Sequence, residues 1–295
     1  MNALPACAAI LAASSCAWAQ TYTSSVIASG LSAPTGIAVR GDNMVYFTEV
    51  PTPGIPGSMG GSNAVKRFKP RTGAIQTVSM GEPEPLNLAV DRGNVYWTCR
   101  TAGVILVQNP RGEVGVALQG LSDPTGIAAR QGRIYFTQVP TPGVPGSAGG
   151  MNTVNVSNGS GTATLSAGEP EPVDIAVAKD GTAYWTCKSA GVILRRTPSG
   201  SVSTLLTNLD EPVGIALDQT GRTLFFTEVP TPGVPGSRGG ANGVYRVDLG
   251  TLQRTTVNFG DPEPTDVAVS PGGSVYWTCT IAGVIVEAVP ARGAP

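Results

Sequence analysis

The sequence predicts an all-β fold: a closed ring of six four-stranded blades, a six-bladed β-propeller made of three tandem two-blade repeats. Three observations carry this. Residues 31–106, 121–194 and 209–286 match one another almost end to end, a period of about 90 residues that marks a repeat architecture. Each copy divides again into two related halves, P-T-G-I-A-V then V-Y-F-T-E at 34–39 and 45–49, and P-L-N-L-A-V then V-Y-W-T-C at 85–90 and 95–99. That makes six modules, anchored at Gly36, Asn87, Gly126, Asp174, Gly214 and Asp266. Finally, 39 Gly, 25 Pro and only 13% charged residues suit many short strands joined by tight turns, since Gly and Pro supply the turn geometries.

Each module reads as four strands. Strand A is the short apolar run at 37–39 and its equivalents, followed by a turn such as 40–43. Strand B is the aromatic run ending in Y-F-T-E or Y-W-T-C. Strand C is the next β-rich run, as at 104–107 or 244–247, and strand D precedes the next anchor, as at 202–206. β-Branched and aromatic residues between Gly, Pro, Asn and Asp turns favour strands over helices, and four-strand modules of this size are propeller blades. The sixth module stops after strand C, near 286–289. Its missing outer strand is found at the other end of the chain, where 24–27 precedes the first Leu31-Ser32-Ala33-Pro34. The N-terminal strand is therefore expected to complete the last blade, which removes an open edge.

The first residues read as an export signal. Residues 4–16 are apolar and small, and Ala17-Trp18-Ala19 has the A-x-A shape of a signal-peptidase site. This divides the chain into a signal peptide at 1–19 and a propeller at 20–295, secreted or periplasmic. No Lys or Arg precedes the apolar run, and Cys16 offers a weak lipoprotein site. No later stretch is apolar enough to span a membrane. A net charge of −1 argues against nucleic acid as an obligatory partner, and a monomer is expected.

The P-x-G-I-A-V then V-Y-F-T pattern resembles the NHL repeat. Tyr96-Trp97-Thr98-Cys99, Tyr184-Trp185-Thr186-Cys187 and Tyr276-Trp277-Thr278-Cys279 resemble the YWTD motif of the low-density-lipoprotein-receptor type, with Cys in place of Asp. The resemblance covers nearly the whole chain beyond the export signal. It implies a propeller, six-bladed in the YWTD case, and says little about function, because propellers host binding modules and enzymes alike. In outline the chain is also similar to virginiamycin B lyases, whose chemistry depends on His, and to the gluconolactonase and regucalcin family. In that family a metal-binding acid directly follows the Pro before strand A. This sequence has no His, and the corresponding slot holds Thr35, Leu86, Thr125, Val173, Val213 and Thr265. Both departures argue against an enzyme.

Strands in a blade run up and down, so the D–A and B–C connections share one face, here the upper, and the A–B and C–D turns share the lower. The nearly identical segments of the three copies all fall on the upper face. They are V-P-T-P-G-[IV]-P-G-S-x-G-G-x-N at 50–63, 139–152 and 229–242, [ED]-P-E-P at 82–85, 169–172 and 261–264, and C-x-x-A-G-V-I at 99–105, 187–193 and 279–285. The lower turns have drifted. A ligand-binding upper face is expected from this contrast, against the alternative that Pro-Gly walls resist change through their turn chemistry alone. Thirteen acids map to this face: Glu49, Glu82, Glu84, Asp123, Glu169, Glu171, Asp174, Asp210, Glu211, Glu228, Asp261, Glu263 and Asp266. Only three bases join them, Arg100, Lys188 and Arg238. Such a face favours cations or basic partners.

Within it, Glu82, Glu84, Glu169, Glu171, Asp261 and Glu263, with the loop serines Ser58, Ser147 and Ser237, are the expected ligand contacts. Glu84, Glu171 and Glu263 lie between prolines that fix their direction. Asn87, Asp174 and Asp266 replace the Gly of alternate modules near the central channel. They could hold Ca²⁺ together with waters, or bond their own turn backbone. Glu49, Gln138 and Glu228 occupy the Asp slot of YWTD, where a structural hydrogen bond is expected. Cys99, Cys187 and Cys279 sit on strand B of alternate blades, which puts them on the order of 15–20 Å apart from the strand spacing. That is too far for a disulfide, so free, mostly buried thiols are expected. The function expected is a non-catalytic propeller binding a small-molecule, cationic or protein ligand on its acidic face. The alternative is a lactonase-like metal-dependent hydrolase or lyase, with Asn87, Asp174 and Asp266 as ligands in the channel and a nearby Glu as base.

Overall fold

The computed structural model describes residues 21–52, 58–143, 147, 149–232 and 237–291. The expected signal peptide lies outside them. Six antiparallel four-stranded sheets follow one another along the chain. A first strand, β1 (Tyr22–Ala28), precedes blade 1, which comprises β2 (Pro34–Arg40), β3 (Met44–Glu49), β4 (Ala64–Phe68) and β5 (Ile75–Met80). Blade 2 is β6 (Pro85–Asp91), β7 (Asn94–Cys99), β8 (Val104–Gln108) and β9 (Val114–Leu118). Blade 3 is β10 (Pro124–Arg130), β11 (Arg133–Gln138), β12 (Thr153–Ser157) and β13 (Thr162–Ala167). Blade 4 is β14 (Pro172–Val177), β15 (Ala183–Cys187), β16 (Val192–Arg196) and β17 (Val202–Leu206). Blade 5 is β18 (Pro212–Leu217), β19 (Thr223–Glu228), β20 (Gly243–Asp248) and β21 (Arg254–Phe259). Blade 6 has β22 (Pro264–Val269), β23 (Val275–Cys279) and β24 (Val284–Pro290), and β1 is its fourth strand.

The protein is thus a six-bladed β-propeller, closed as the sequence predicts. β1 runs antiparallel to β24 from Tyr22 opposite Pro290 to Ala28 opposite Ile285. No helix among the described residues is long and apolar enough to cross a membrane.

The core lies between blades, where the B strands stack their aromatic rows. Phe47, Trp97, Phe136, Trp185, Phe226 and Trp277 occupy one position in successive blades, and all six are fully buried. Burying an aromatic side chain stabilises by roughly 1.5–3 kcal/mol, so this belt is a principal source of blade-to-blade cohesion. The Thr that follows each aromatic ties the ring together. Thr48, Thr98, Thr137, Thr186, Thr227 and Thr278 are fully buried. Each hydroxyl accepts the strand-A N–H of its own blade, from Gly36, Asn87, Gly126, Asp174, Gly214 and Asp266. Each donates in turn to a carbonyl of the next blade, those of Leu86, Thr125, Val173, Val213, Thr265 and Thr35, at 2.7–3.4 Å. A hydroxyl is both donor and acceptor, and its short side chain fits between two closely packed A strands.

The A-G-V-I segments have a packing reason for their constancy. Gly103, Gly191 and Gly283 hold positive φ (62–63°), and a Cβ on each would come within 2.5 Å of the carbonyl oxygen of Leu121, Leu209 or Leu31. Those leucines donate their N–H groups back to the same glycines.

Candidate functional site

The axis is where the anchors meet. Asn87, Asp174 and Asp266 stand at the channel, and the alternate blades present Gly because nothing larger fits. A Cβ on Gly126 would lie 2.5 Å from the Asp174 Cα, one on Gly214 2.7 Å from that of Asp266, and one on Gly36 2.8 Å from that of Asn87. The three side chains are bonded into the blades. Asp174 Oδ1 accepts Ile175 N at 2.8 Å, and its Oδ2 accepts Ile215 N of blade 5 at 2.9 Å. Asp266 does the same with Val267 N and, across the closing junction, Ile37 N, both at 2.7 Å. Asn87 accepts Leu88 N at 2.6 Å and donates through Nδ2 to Asp174 Oδ1 at 2.8 Å.

The Asp174 and Asp266 carboxyls are close enough to act on each other. Burial pushes the pKa of Asp174 up to about 7, and burial together with the Asp174 charge pushes that of Asp266 well above the usual carboxylate range. Burial and the neighbouring carboxyl thus both favour the protonated form of the pair. Above this plug is a funnel of about 190 Å³ walled by Thr35, Leu86, Thr125, Val173, Val213 and Thr265. Below it opens the lower end of the strand-A ring, with Arg130 among its lining.

These bonds match the expectation that the Asx side chains engage their turn backbone. Their oxygens face blade N–H groups, a donor set that fits a structural plug better than a cation cage. Among the described residues no group of three or more His, Cys, Asp or Glu is arranged to hold a metal.

Seven of the thirteen upper-face acids are interior: Glu49, Asp123, Asp174, Asp210, Glu211, Glu228 and Asp266 are all buried. They cap backbone N–H groups of the upper loops and blades. Glu49 accepts Ser32 N and pairs with Lys66, and Glu228 accepts Asp210 N and pairs with Arg254 at 2.7 Å. Gln138 keeps the backbone bond, from Ser122 N at 2.7 Å, and turns its amide to Thr153 in place of a base. Asp210 accepts Arg238 N and Gly240 N, Glu211 accepts Thr231 N, and Asp123 accepts Thr141 N. The solvent-facing charge is accordingly smaller than the sequence sum suggests.

The six partly exposed acids are Glu82, Glu84, Glu169, Glu171, Asp261 and Glu263. The first acid of each [ED]-P-E-P segment is turned inward: Glu82 to Ser79 and Glu169 to Ser166 on the outer strand of the preceding blade, and the shorter Asp261 to the indole N–H of Trp277 of blade 6 at 2.7 Å. The second acid is held in a left-handed backbone, φ 53–55° at Glu84, Glu171 and Glu263. Its carbonyl accepts the N–H of Arg100, Lys188 or Thr280. Glu84 is 3.4 Å from Arg100, while burial raises the pKa of Glu263 and Lys188 opposes that rise.

Ser58, Ser147 and Ser237 border the described parts of the V-P-T-P-G loops, whose centres at 53–57, 144–146 and 233–236 lie outside the described residues. Ser147 and Ser237 accept N–H groups from Gly149 and Gly239, and the Ser58 hydroxyl is buried with no hydrogen-bond partner among the described residues. Cys99, Cys187 and Cys279 are free and buried, and burial pushes each thiol up to about 12.

No family model matches the sequence. Among curated proteins, the chain is 26% identical over 217 residues to low-density lipoprotein receptor-related protein 1 of Pyricularia oryzae, covering 62% of this chain and 67% of that protein. Among solved structures it superposes on a putative gluconolactonase with a TM-score of 0.66, 14% identity and 92% of each chain covered. The nidogen/laminin complex gives a TM-score of 0.60 at 17% identity, over 78% of this chain and 80% of that one. Virginiamycin B lyase from Staphylococcus aureus gives 0.57 at 16%, over 91% and 99%. The chain has the fold of the YWTD and lyase–lactonase propellers. The buried Thr circuit was missed as a device by sequence reasoning, although the signal was present: Thr is the one polar residue common to strand B of all six modules.

Proposed function

We propose that this protein is an exported, non-catalytic propeller that binds a cationic ligand or a basic protein segment through its upper face. The observation carrying the reading is the division of the acids. Seven are used up inside as backbone caps, and the six left at the surface are the E-P-E-P acids of blades 2, 4 and 6. Three of these are pre-set by one backbone conformation between prolines, so little ordering is lost on binding. The likeness to the propeller of the nidogen/laminin complex supports a protein-binding role. Export rests on the A-x-A segment at 17–19.

The lactonase-like alternative would place a divalent ion such as Ca²⁺ on Asn87, Asp174 and Asp266. It has less support, because those oxygens accept blade N–H groups and the chain has no His. Calorimetry with a lysine-rich peptide tests the first reading. Replacing Glu84, Glu171 and Glu263 together with Gln should weaken binding by about tenfold or more, and added salt should weaken binding to the wild type. Unchanged affinity in the triple variant would reject the acidic-face reading. A stoichiometric divalent ion in the purified protein, lost in Asp174→Ala/Asp266→Ala, would favour the alternative.

A further inference from the structure

We infer that the outer rim of blade 1, on the upper face, holds a binding pocket for an aromatic ring carrying an oxygen acceptor, such as a phenol or an aromatic carboxylate. The inference comes from comparing one niche in the three odd-numbered blades and is independent of the acidic-face reading. The third residue of strand C is Lys66 in blade 1, Asn155 in blade 3 and Tyr245 in blade 5. Register confirms the equivalence, since they face Thr77, Thr164 and Thr256.

Blade 5 fills the niche with a ring. Tyr245 is buried, stacks on Phe226 at 5.5 Å, and is covered by the Arg254 guanidinium at 3.7 Å. Blade 3 fills it with a polar chain. Gln138 and Asn155 both donate to Thr153 Oγ1, and Thr164 donates to Asn155 Oδ1 at 3.1 Å. Blade 1 does neither. Lys66 has no ring, and the position of Arg254 is taken by Ile75, which is exposed. Asp210, which in blade 5 pins the overlying loop through Arg238 N and Gly240 N, is replaced by Ser32, bonded to Met59 N and Gly60 O.

What remains is a cavity of about 420 Å³, lined among others by Ser32, Glu49, Met59, Lys66, Thr77 and Met80. That is the size range of small-ligand sites. Its polar group is set: Glu49 is buried and bonded to Ser32 N, and holds Lys66 Nζ at 2.5 Å. An ammonium has three donors, so Lys66, whose side chain is 27% exposed, keeps donors for an acceptor on the ligand. Its walls are thioethers. Met59 and Met80 are 68% and 70% exposed, and sulfur against a ring edge is favourable while Met adapts to irregular shapes.

The test is methyl NMR on protein labelled at methionine, titrated with 4-hydroxybenzoate in one arm and N-acetyltyrosinamide in the other. Met59 and Met80 should shift saturably and Met151, on the rim of blade 3, should not. Saturation with 4-hydroxybenzoate alone identifies a free small molecule as the natural occupant. Saturation with the tyrosine derivative alone identifies the side chain of a partner protein. Lys66→Tyr/Ile75→Arg rebuilds the blade 5 filling and should abolish the shifts. Met80→Ser, at an exposed site that leaves the fold intact, should weaken binding about fivefold. No shift with either ring, identical shifts in the refilled variant, or unchanged affinity in Met80→Ser would overturn the proposal.

Discussion

The axial glycines show how a missing methyl group decides an architecture. Gly126 is required by the approach of blade 4, because a Cβ there would also meet the Val173 carbonyl oxygen at 2.5 Å. Both of these contacts are backbone, which cannot rotate away. Gly126→Ala should therefore destabilise the protein by at least about 1–3 kcal/mol, as overpacking does. Gly115→Ala is the matched control: nothing lies within 4 Å of its Cβ and its φ is not positive. It should be neutral or raise stability by roughly 0.5 kcal/mol through the unfolded chain. Urea denaturation of the two variants beside the wild type checks both numbers, and equal midpoints would remove the axial contact as the reason for the Gly–Asx alternation.

Among the elements, β1 carries the most consequence per residue. It supplies the whole outer edge of blade 6, and it packs Ile27 and Ala28 against a core that contains Leu31, Phe47 and Tyr276. Tyr22 adds an edge contact with Phe225 of blade 5. Deleting the chain through Ile27 should lower the melting temperature by at least about 10 °C and expose β24 as an aggregating edge. An unchanged melt would show that closure lies elsewhere. The blades and this closure were legible in the sequence because repetition displays the same pattern six times, and because the absence of a strand at one end matched a spare strand at the other.

The fate of individual acids was not legible. Asp266 caps Ile37 N, 229 residues away, and Glu49 caps Ser32 N behind a loop. An acid bonded to backbone in this way leaves no mark that distinguishes it from an acid in solvent. The blade 1 pocket lay between these extremes: aligning Lys66, Asn155 and Tyr245 exposes the difference, but only packing shows that one of the three niches is left open.

At the scale of the whole molecule, all six blades meet at the Asp174–Asp266 pair. The charged groups that their surroundings offer are each other, with Arg130 at the lower mouth turned to the Val177 carbonyl. An acid whose pKa rises on folding binds a proton that the unfolded chain has released, so stability falls as pH climbs between the two values. The window runs from near 3.8, the ordinary value, through about 7 for Asp174. Urea midpoints measured from pH 4.5 to 8 should decline, and the decline should be shallower in Asp266→Asn. A midpoint that rises with pH more steeply in the wild type than in that variant would contradict the raised pKa of the pair.

The Thr circuit has a further consequence. Its six hydroxyls all donate in the same direction round the ring, and the seam between blades 6 and 1, which the chain crosses between β1 and β2, is among the best bonded junctions. Thr278 to Thr35 O and Asp266 to Ile37 N are both 2.7 Å, Thr280 to Pro34 O is 2.8 Å, and Asp42 accepts Gly272 N at 2.6 Å. A linear stack of repeats frays from its terminal units, each of which lacks a neighbour. Here every blade has two, so local melting has no favoured starting point, and the loss of any one blade withdraws support from both sides at once.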